Sequence, residues 1–237
     1  MTIDTAKSIG ELAAELPGAF RIFEKVGIDY CCGGQQTLAE ACAAAGVPLE
    51  DVLRSLEAEP ASTPAADWRT RPLEDLVAHL VEIHHSFTRE SLSRIELLLG
   101  RVCAVHGGRH PELHRVRAAF ESLRDDLVPH LAKEERVLFP YVLALAEATR
   151  DGALPPMPPF RTVQNPIRMM NVEHEAVGVV LRVLREASGG YTAPADGCPS
   201  YRALYEALAD LEADLHLHIH LETNVLFPRA IELEERG

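Results

Sequence analysis

Apolar residues recur at intervals of three and four along nearly the whole chain, and the rhythm breaks mainly where Gly, Pro or Ser appears. That rhythm predicts an all-α protein. The stretch "SIGELAAELPGAFRIFEKVG" opens with a capping box, Ser8 to Glu11, and stops at Gly27. "TLAEACAAAG" stops at Gly46, and "PLEDVLRSLEAE" starts at Pro48. These short helices define a small amino-terminal domain, residues 1–58. The small, polar, Pro-containing stretch 59–67 has linker composition. A second domain, 68–237, then holds four long helical segments, roughly 72–104, 111–148, 166–188 and 200–234, the makings of a four-helix bundle.

The seams of three bundle helices are interrupted by polar residues. Leu123, Leu127, His130, Glu134, Val137 and Tyr141 step by four and three, the stripe that faces a bundle core. Ile167, Met170, His174, Val177, Leu181 and Leu184 do the same, as do Leu204, Leu208, Leu211, Leu215, His218, Glu222 and Val225. Phasing on the first helix is ambiguous. His84 continues Leu73, Val77 and Leu80 toward Phe87, whereas His85 joins Val81, Leu92, Ile95 and Leu99, with Thr88 between.

Two of these stretches share a pattern, His-x3-Glu-x3-Leu-Phe-Pro, in "HLAKEERVLFP" (130–140) and "HIHLETNVLFP" (218–228). The copies lie 88 residues apart, and His85 precedes the first by 45 residues as His174 precedes the second by 44. A duplicated helical hairpin explains both spacings, and the repeat favours His85 over His84. An i,i+4 spacing puts His and Glu one turn apart on one face, where both reach a common metal. Glutamates in an apolar seam are costly unless a cation satisfies them. Four imidazoles and two carboxylates suit iron, manganese or zinc, with redox iron the first choice and the carboxylates placed to bridge two ions. His216 and His220 project about 200° from His218 at 100° per residue and are expected on the outer face. His79, His106, His110 and His114 are expected at loop and surface positions.

Charge narrows the function classes. A net charge of −13 argues against a nucleic-acid or anionic-membrane partner. The opening "MTIDTAKSIGELAAEL" lacks the apolar core of a signal peptide, and no stretch has transmembrane length, so a cytoplasmic protein is expected. Five cysteines, two of them adjacent, do not read as a secreted disulfide framework. Cys31 and Cys32 are too close, about 3.8 Å between Cα atoms, for an unstrained disulfide. Ahead of a helix they are expected to feel its positive end, which favours thiolate. Cys42, Cys103 and Cys198 are expected to pack.

The bundle resembles hemerythrin-like domains. Together with "DYCCGG" and "QTLAEAC" it strongly resembles the di-iron RIC proteins (repair of iron centres, ScdA and YtfE type), over nearly the whole chain. The resemblance covers "DWR" with Pro72, "HLAKEERVLFP", "EHEAVG" and "HLETNVLFP". It implies iron ligands at His85, His130, Glu134, His174, His218 and Glu222, with both glutamates bridging a two-iron, oxo- or hydroxo-bridged centre. It implies Cys31 and Cys32 as functional thiols, and a role in rebuilding iron-sulfur clusters damaged by oxidative or nitrosative stress. The implied partners are damaged iron-sulfur proteins and small ligands, nitric oxide or peroxide, with a homodimer open. Iron donation is the first reading; nitric oxide reduction and oxygen binding or sensing are the alternatives. The chain departs from the pattern at His84, where relatives can carry an aromatic residue, and the fifth histidine ligand of oxygen-carrying hemerythrins is not evident in it. Asp126, Glu173 and Glu175 are expected as helix-surface charge, or as aids to proton and ion passage.

Overall fold

The computed structural model describes residues 3–16, 18–31, 34–58 and 67–236. Cys32 and most of the expected linker lie outside them. Among the described residues the chain is helical, and its extended pairing is an isolated antiparallel bridge between Ser8 and Thr37. It divides into two compact units, which are taken in turn.

The first unit comprises Met1–Val77, Val142–Met157 and His216–Gly237. Its amino-terminal part has four helices, α1 (Ile9–Glu15), α2 (Ala19–Val26), α3 (Leu38–Ala45) and α4 (Leu49–Ala58). Capping boxes start α1 and α3: Ser8 accepts from the Glu11 N–H and Glu11 accepts from the Ser8 N–H, and Thr37 and Glu40 repeat the exchange. Gly27 and Gly46 end α2 and α3 with φ of 74° and 68°, a conformation in which a Cβ would be strained. Ile9, Leu12, Phe23, Leu38, Val52 and Leu56 form the core of this part, with Tyr30 and Cys42 packed among them. Arg229, near the carboxyl end, donates to the Trp68 and Arg71 carbonyls at 2.7 Å each.

The second unit comprises Ala78–Tyr141 and Pro158–Leu215. Its long helices are α6 (Ser86–His106), α7 (Glu112–Lys133), α9 (Gln164–Ala187) and, as far as Leu215, α10 (Pro199–Leu221); α5 (Leu73–His79), α8 (Phe139–Asp151) and α11 (Phe227–Arg236) complete the α-helices of the described residues. Leu92, Ile95 and Leu99 of α6, Leu123 and Leu127 of α7, Ile167, Leu181 and Leu184 of α9 and Leu204 to Leu215 of α10 bury the apolar stripes.

Three of the four expected long segments contain a π turn: Leu80–His85, Glu134–Leu138 and Glu222–Leu226. Two of these have a cause in the Leu-Phe-Pro ends of the repeat. Pro140 and Pro228 have no N–H to give, and an α-helical turn would press each ring against the carbonyl four residues earlier. The turn widens instead, and the Phe139 and Phe227 N–H groups bond the carbonyls of Glu134 and Glu222, five residues back. At the first π turn the Ser86 hydroxyl donates to the Val81 carbonyl at 3.2 Å, also five residues back.

A π turn inserts one residue into the helical register, which corrects the expected seam. Val137 is 47% exposed, and its neighbour Leu138 takes the buried place. The same slip resolves the first helix. Leu73, Val77, Leu80 and His84 are buried up to the π turn, and His85, Thr88, Leu92, Ile95 and Leu99 after it, so both histidines face inward.

Candidate metal centre

Glu134 is the hub of the second unit. It stands at the first position of a π turn, fully buried, and three imidazoles converge on it. His130 Nε2 lies 3.1 Å from Oε1 and His174 Nε2 3.9 Å from the same oxygen, whereas His85 Nε2 lies 3.5 Å from Oε2. The two carboxylate oxygens therefore serve different histidines. The His130 and His174 Nε2 atoms are themselves 3.2 Å apart.

The outer nitrogens decide what the inner ones offer. His130 Nδ1 is 2.7 Å from Glu173 Oε2, and His85 Nδ1 is 2.7 Å from Glu135 Oε1. A carboxylate only accepts, so an imidazole proton lies on Nδ1, and in the neutral ring the lone pair is then on Nε2 and points inward. Burial alone would raise the Glu173 carboxyl, but hydrogen bonds from Lys133 and His130 outweigh it and hold the group below its ordinary range. Glu135 is treated alike: burial raises it, and His85 with Arg89 brings it below that range. Both stay ionised and fix tautomer and ring orientation, as carboxylates behind metal-bound histidines do. Phe139 of the repeat stacks on His85, centroids 5.6 Å apart and planes at 26°.

Lone pairs facing a carboxylate at hydrogen-bond distance, in a pocket closed to water, repel one another unless a proton or cation lies between. Burying an ionised carboxylate costs several kcal/mol, about the scale that a cation offsets. His130, Glu134 and His174 each offer a ligand atom within 4.8 Å of the others, the span a metal ion bridges. The donor set fits a borderline cation such as iron.

The first unit carries the other copy of the motif, with the same local geometry. His218 Nε2 is 3.1 Å from Glu222 Oε1, both groups are buried, and Glu222 opens its π turn as Glu134 does. His220, expected on an outer face, is only 3% exposed: the Tyr30 ring stands edge-on to it at 5.4 Å. Burial pushes its imidazole down to about 4, so it is neutral at physiological pH.

Some expected residues land elsewhere. His84 is buried but stands outside the Glu134 cluster, its Nδ1 2.9 Å from Asp214 Oδ1. Cys31 is 2% exposed and its thiol donates to Asp29 Oδ1 at 3.3 Å. The amino-terminal end of α3 is capped by the Thr37 hydroxyl and the Glu40 carboxylate. Asp126 and Glu175 are exposed, and of the three charges set aside in the sequence only Glu173 contacts a candidate ligand. Glu135 went unnoticed beside Glu134, although its position next to a candidate ligand on a helix edge was a usable signal.

Comparison with known proteins adds two family matches. Residues 5–59 match the amino-terminal ScdA domain, described as a domain of unknown function, and residues 75–230 match the hemerythrin HHE cation binding domain. The chain is 37% identical to the iron-sulfur cluster repair protein YtfE of Musicola paradisiaca over 231 residues, 96% of this chain and 97% of the relative. It is 37% identical to the protein of the same name from Edwardsiella ictaluri, covering 95% and 96%, and 34% identical to that of Salmonella schwarzengrund, covering 94% and 96%.

Proposed function

Since the chain belongs to the YtfE family of iron-sulfur cluster repair proteins, with a hemerythrin HHE domain, we propose that it rebuilds damaged clusters by donating iron from a two-iron centre. The Glu134 cluster carries this reading. One carboxylate whose two oxygens face different histidines is the arrangement of a bridge. In the proposed centre the ligands are those the family resemblance implies, His85, His130, Glu134, His174, His218 and Glu222, with both glutamates as bridges.

When bound, iron supplies an exchangeable metal pool and a one-electron couple. The chain's own residues prepare the place for it. Glu135 and Glu173 keep the protons of His85 and His130 on the outer nitrogens, so the inner lone pairs are ready without deprotonation. The apolar seams and the Phe139 ring keep water away. The π turns aim each glutamate inward at the point where the helix register slips. Cys31 and Cys32 are proposed as the thiols that take over iron leaving the centre, since thiolate is a ligand for iron in clusters. The domain division proposed with this role is 1–58, linker 59–67 and bundle 68–237.

Iron transfer tests the proposal. An iron-sulfur protein whose cluster has been destroyed with nitric oxide is mixed with iron-loaded protein, and cluster absorbance is followed. The wild type restores the cluster faster than free ferrous iron at equal concentration. The Glu134→Ala chain does not, and Cys31→Ser with Cys32→Ser slows the transfer. Restoration no faster than with free iron, alongside turnover of nitric oxide with an electron donor, would replace repair by nitric oxide reduction.

A further inference from the structure

One helical turn in the first unit serves two faces. His218 and Glu222 occupy one, and on the opposite side His216, His220 and Asn224 meet the segment that carries Cys31. Tyr30, the residue before Cys31, is 1% exposed, with its ring edge-on to His220 at 5.4 Å and to His216 at 6.4 Å. Its hydroxyl donates to Glu24 at 3.0 Å, which fixes the ring from the far end.

Asn224 sits at the centre of this contact. Its Nδ2 donates to His220 Nδ1 at 3.0 Å, which fixes the amide orientation and turns Oδ1 toward the backbone of two glycines. A Cβ on Gly10 would lie 2.5 Å from that oxygen, and one on Gly34 would lie 3.2 Å from it. Nothing larger than glycine leaves room for the amide at Gly10. The two glycines are joined directly, the Gly10 N–H donating to the Gly34 carbonyl at 2.9 Å, with Ile9 bonded to Gln36 alongside. Residues on either side of the Cys-Cys pair are thus held against one amide side chain.

We propose that Asn224, oriented by His220, is a positioning residue that seats the Cys31 segment and governs access to its thiol. The buried Cys31 thiol reaches a metal ion or an electrophile only when this seat loosens. Because Asn224 lies within the Glu222–Leu226 π turn, the seat is built into the same turn that presents Glu222. The purpose of the device rests on the repair reading, but the device itself is a matter of thiol access and is tested as such.

The test uses the full chain in a Cys32→Ser background and measures N-ethylmaleimide labelling of each cysteine by peptide mass spectrometry. Cys42, buried in the amino-terminal core, is the internal reference. Asn224→Ala raises the Cys31 rate by about tenfold or more while Cys42 is unchanged, because labelling of a buried thiol follows local opening. Gly10→Ala, which crowds the amide from the other wall, produces the same selective rise. An unchanged Cys31 rate in both variants overturns the proposal. So does a parallel rise at Cys31 and Cys42, which marks general loosening. Failure of cluster restoration with the labelling result intact would sink the repair reading and leave the seat standing.

Discussion

Truncating Glu173 to alanine leaves every candidate ligand in place and removes only the acceptor behind His130. The His130 Nδ1 to Glu173 Oε2 bond is 2.7 Å long and charged at its acceptor end. Such a bond contributes about 1.5–3 kcal/mol. The ion pair between Glu173 and Lys133 adds little, since the lysine side chain is 45% exposed and such pairs contribute about 0–1 kcal/mol. At 1.4 kcal/mol per factor of ten, the loss corresponds to roughly 10- to 100-fold weaker metal retention, the range found for partners behind metal-bound histidines. The assay is competition with a chelator, read as the iron remaining with the protein at increasing chelator concentration. Glu175→Ala, at an exposed position two residues away, is the control and leaves retention unchanged. If Glu173→Ala held iron within about twofold of the wild type, or behaved like Glu175→Ala, the role given to the outer carboxylate would be wrong.

Other consequences follow from the same structure. Pro140→Ala restores an N–H and lets the Glu134–Leu138 π turn relax toward α-helix; bound iron falls while the circular dichroism of the helices is retained. Thr37→Ala removes the cap of α3 and costs about 1 kcal/mol, measurable by urea unfolding of the amino-terminal part. Glu135 and Glu173 are depressed in the folded chain, so their stabilisation is complete above the ordinary carboxylate pKa and is lost as pH falls through their lowered values. Thermal melts of metal-free protein therefore show an acid limb, and Glu135→Ala with Glu173→Ala flattens it; an unaltered limb would contradict the assignment.

The sequence shows the chemistry of the site more clearly than its geometry. The His-x3-Glu-x3-Leu-Phe-Pro repeat and its phase with the apolar seams were legible because both are matters of spacing along one helix. The π turns were not, since spacing rules assume 3.6 residues per turn and a wide turn breaks that assumption at the ligands. Phasing did not separate His84 from His85 for this reason, and only the repeat spacing favoured His85: the seam passes from one to the other within Leu80–His85. Val137 was placed inward by the same assumption and lies outward. The role of Glu135 and the burial of His220, expected on an outer face, were not legible because their partners, His85 and Tyr30, are 50 and 190 residues away in the chain. The Leu-Phe-Pro ends, visible in the sequence, explain two of the three described π turns, Glu134–Leu138 and Glu222–Leu226, that spacing alone did not reveal.

Metal content per chain tests the central claim most directly. Protein purified without added metal is assayed beside Glu134→Ala and Glu222→Ala. A carboxylate-bridged pair predicts about two irons per wild-type chain and a marked loss in both variants. One zinc per chain, or a folded wild type without metal, would contradict the two-iron centre.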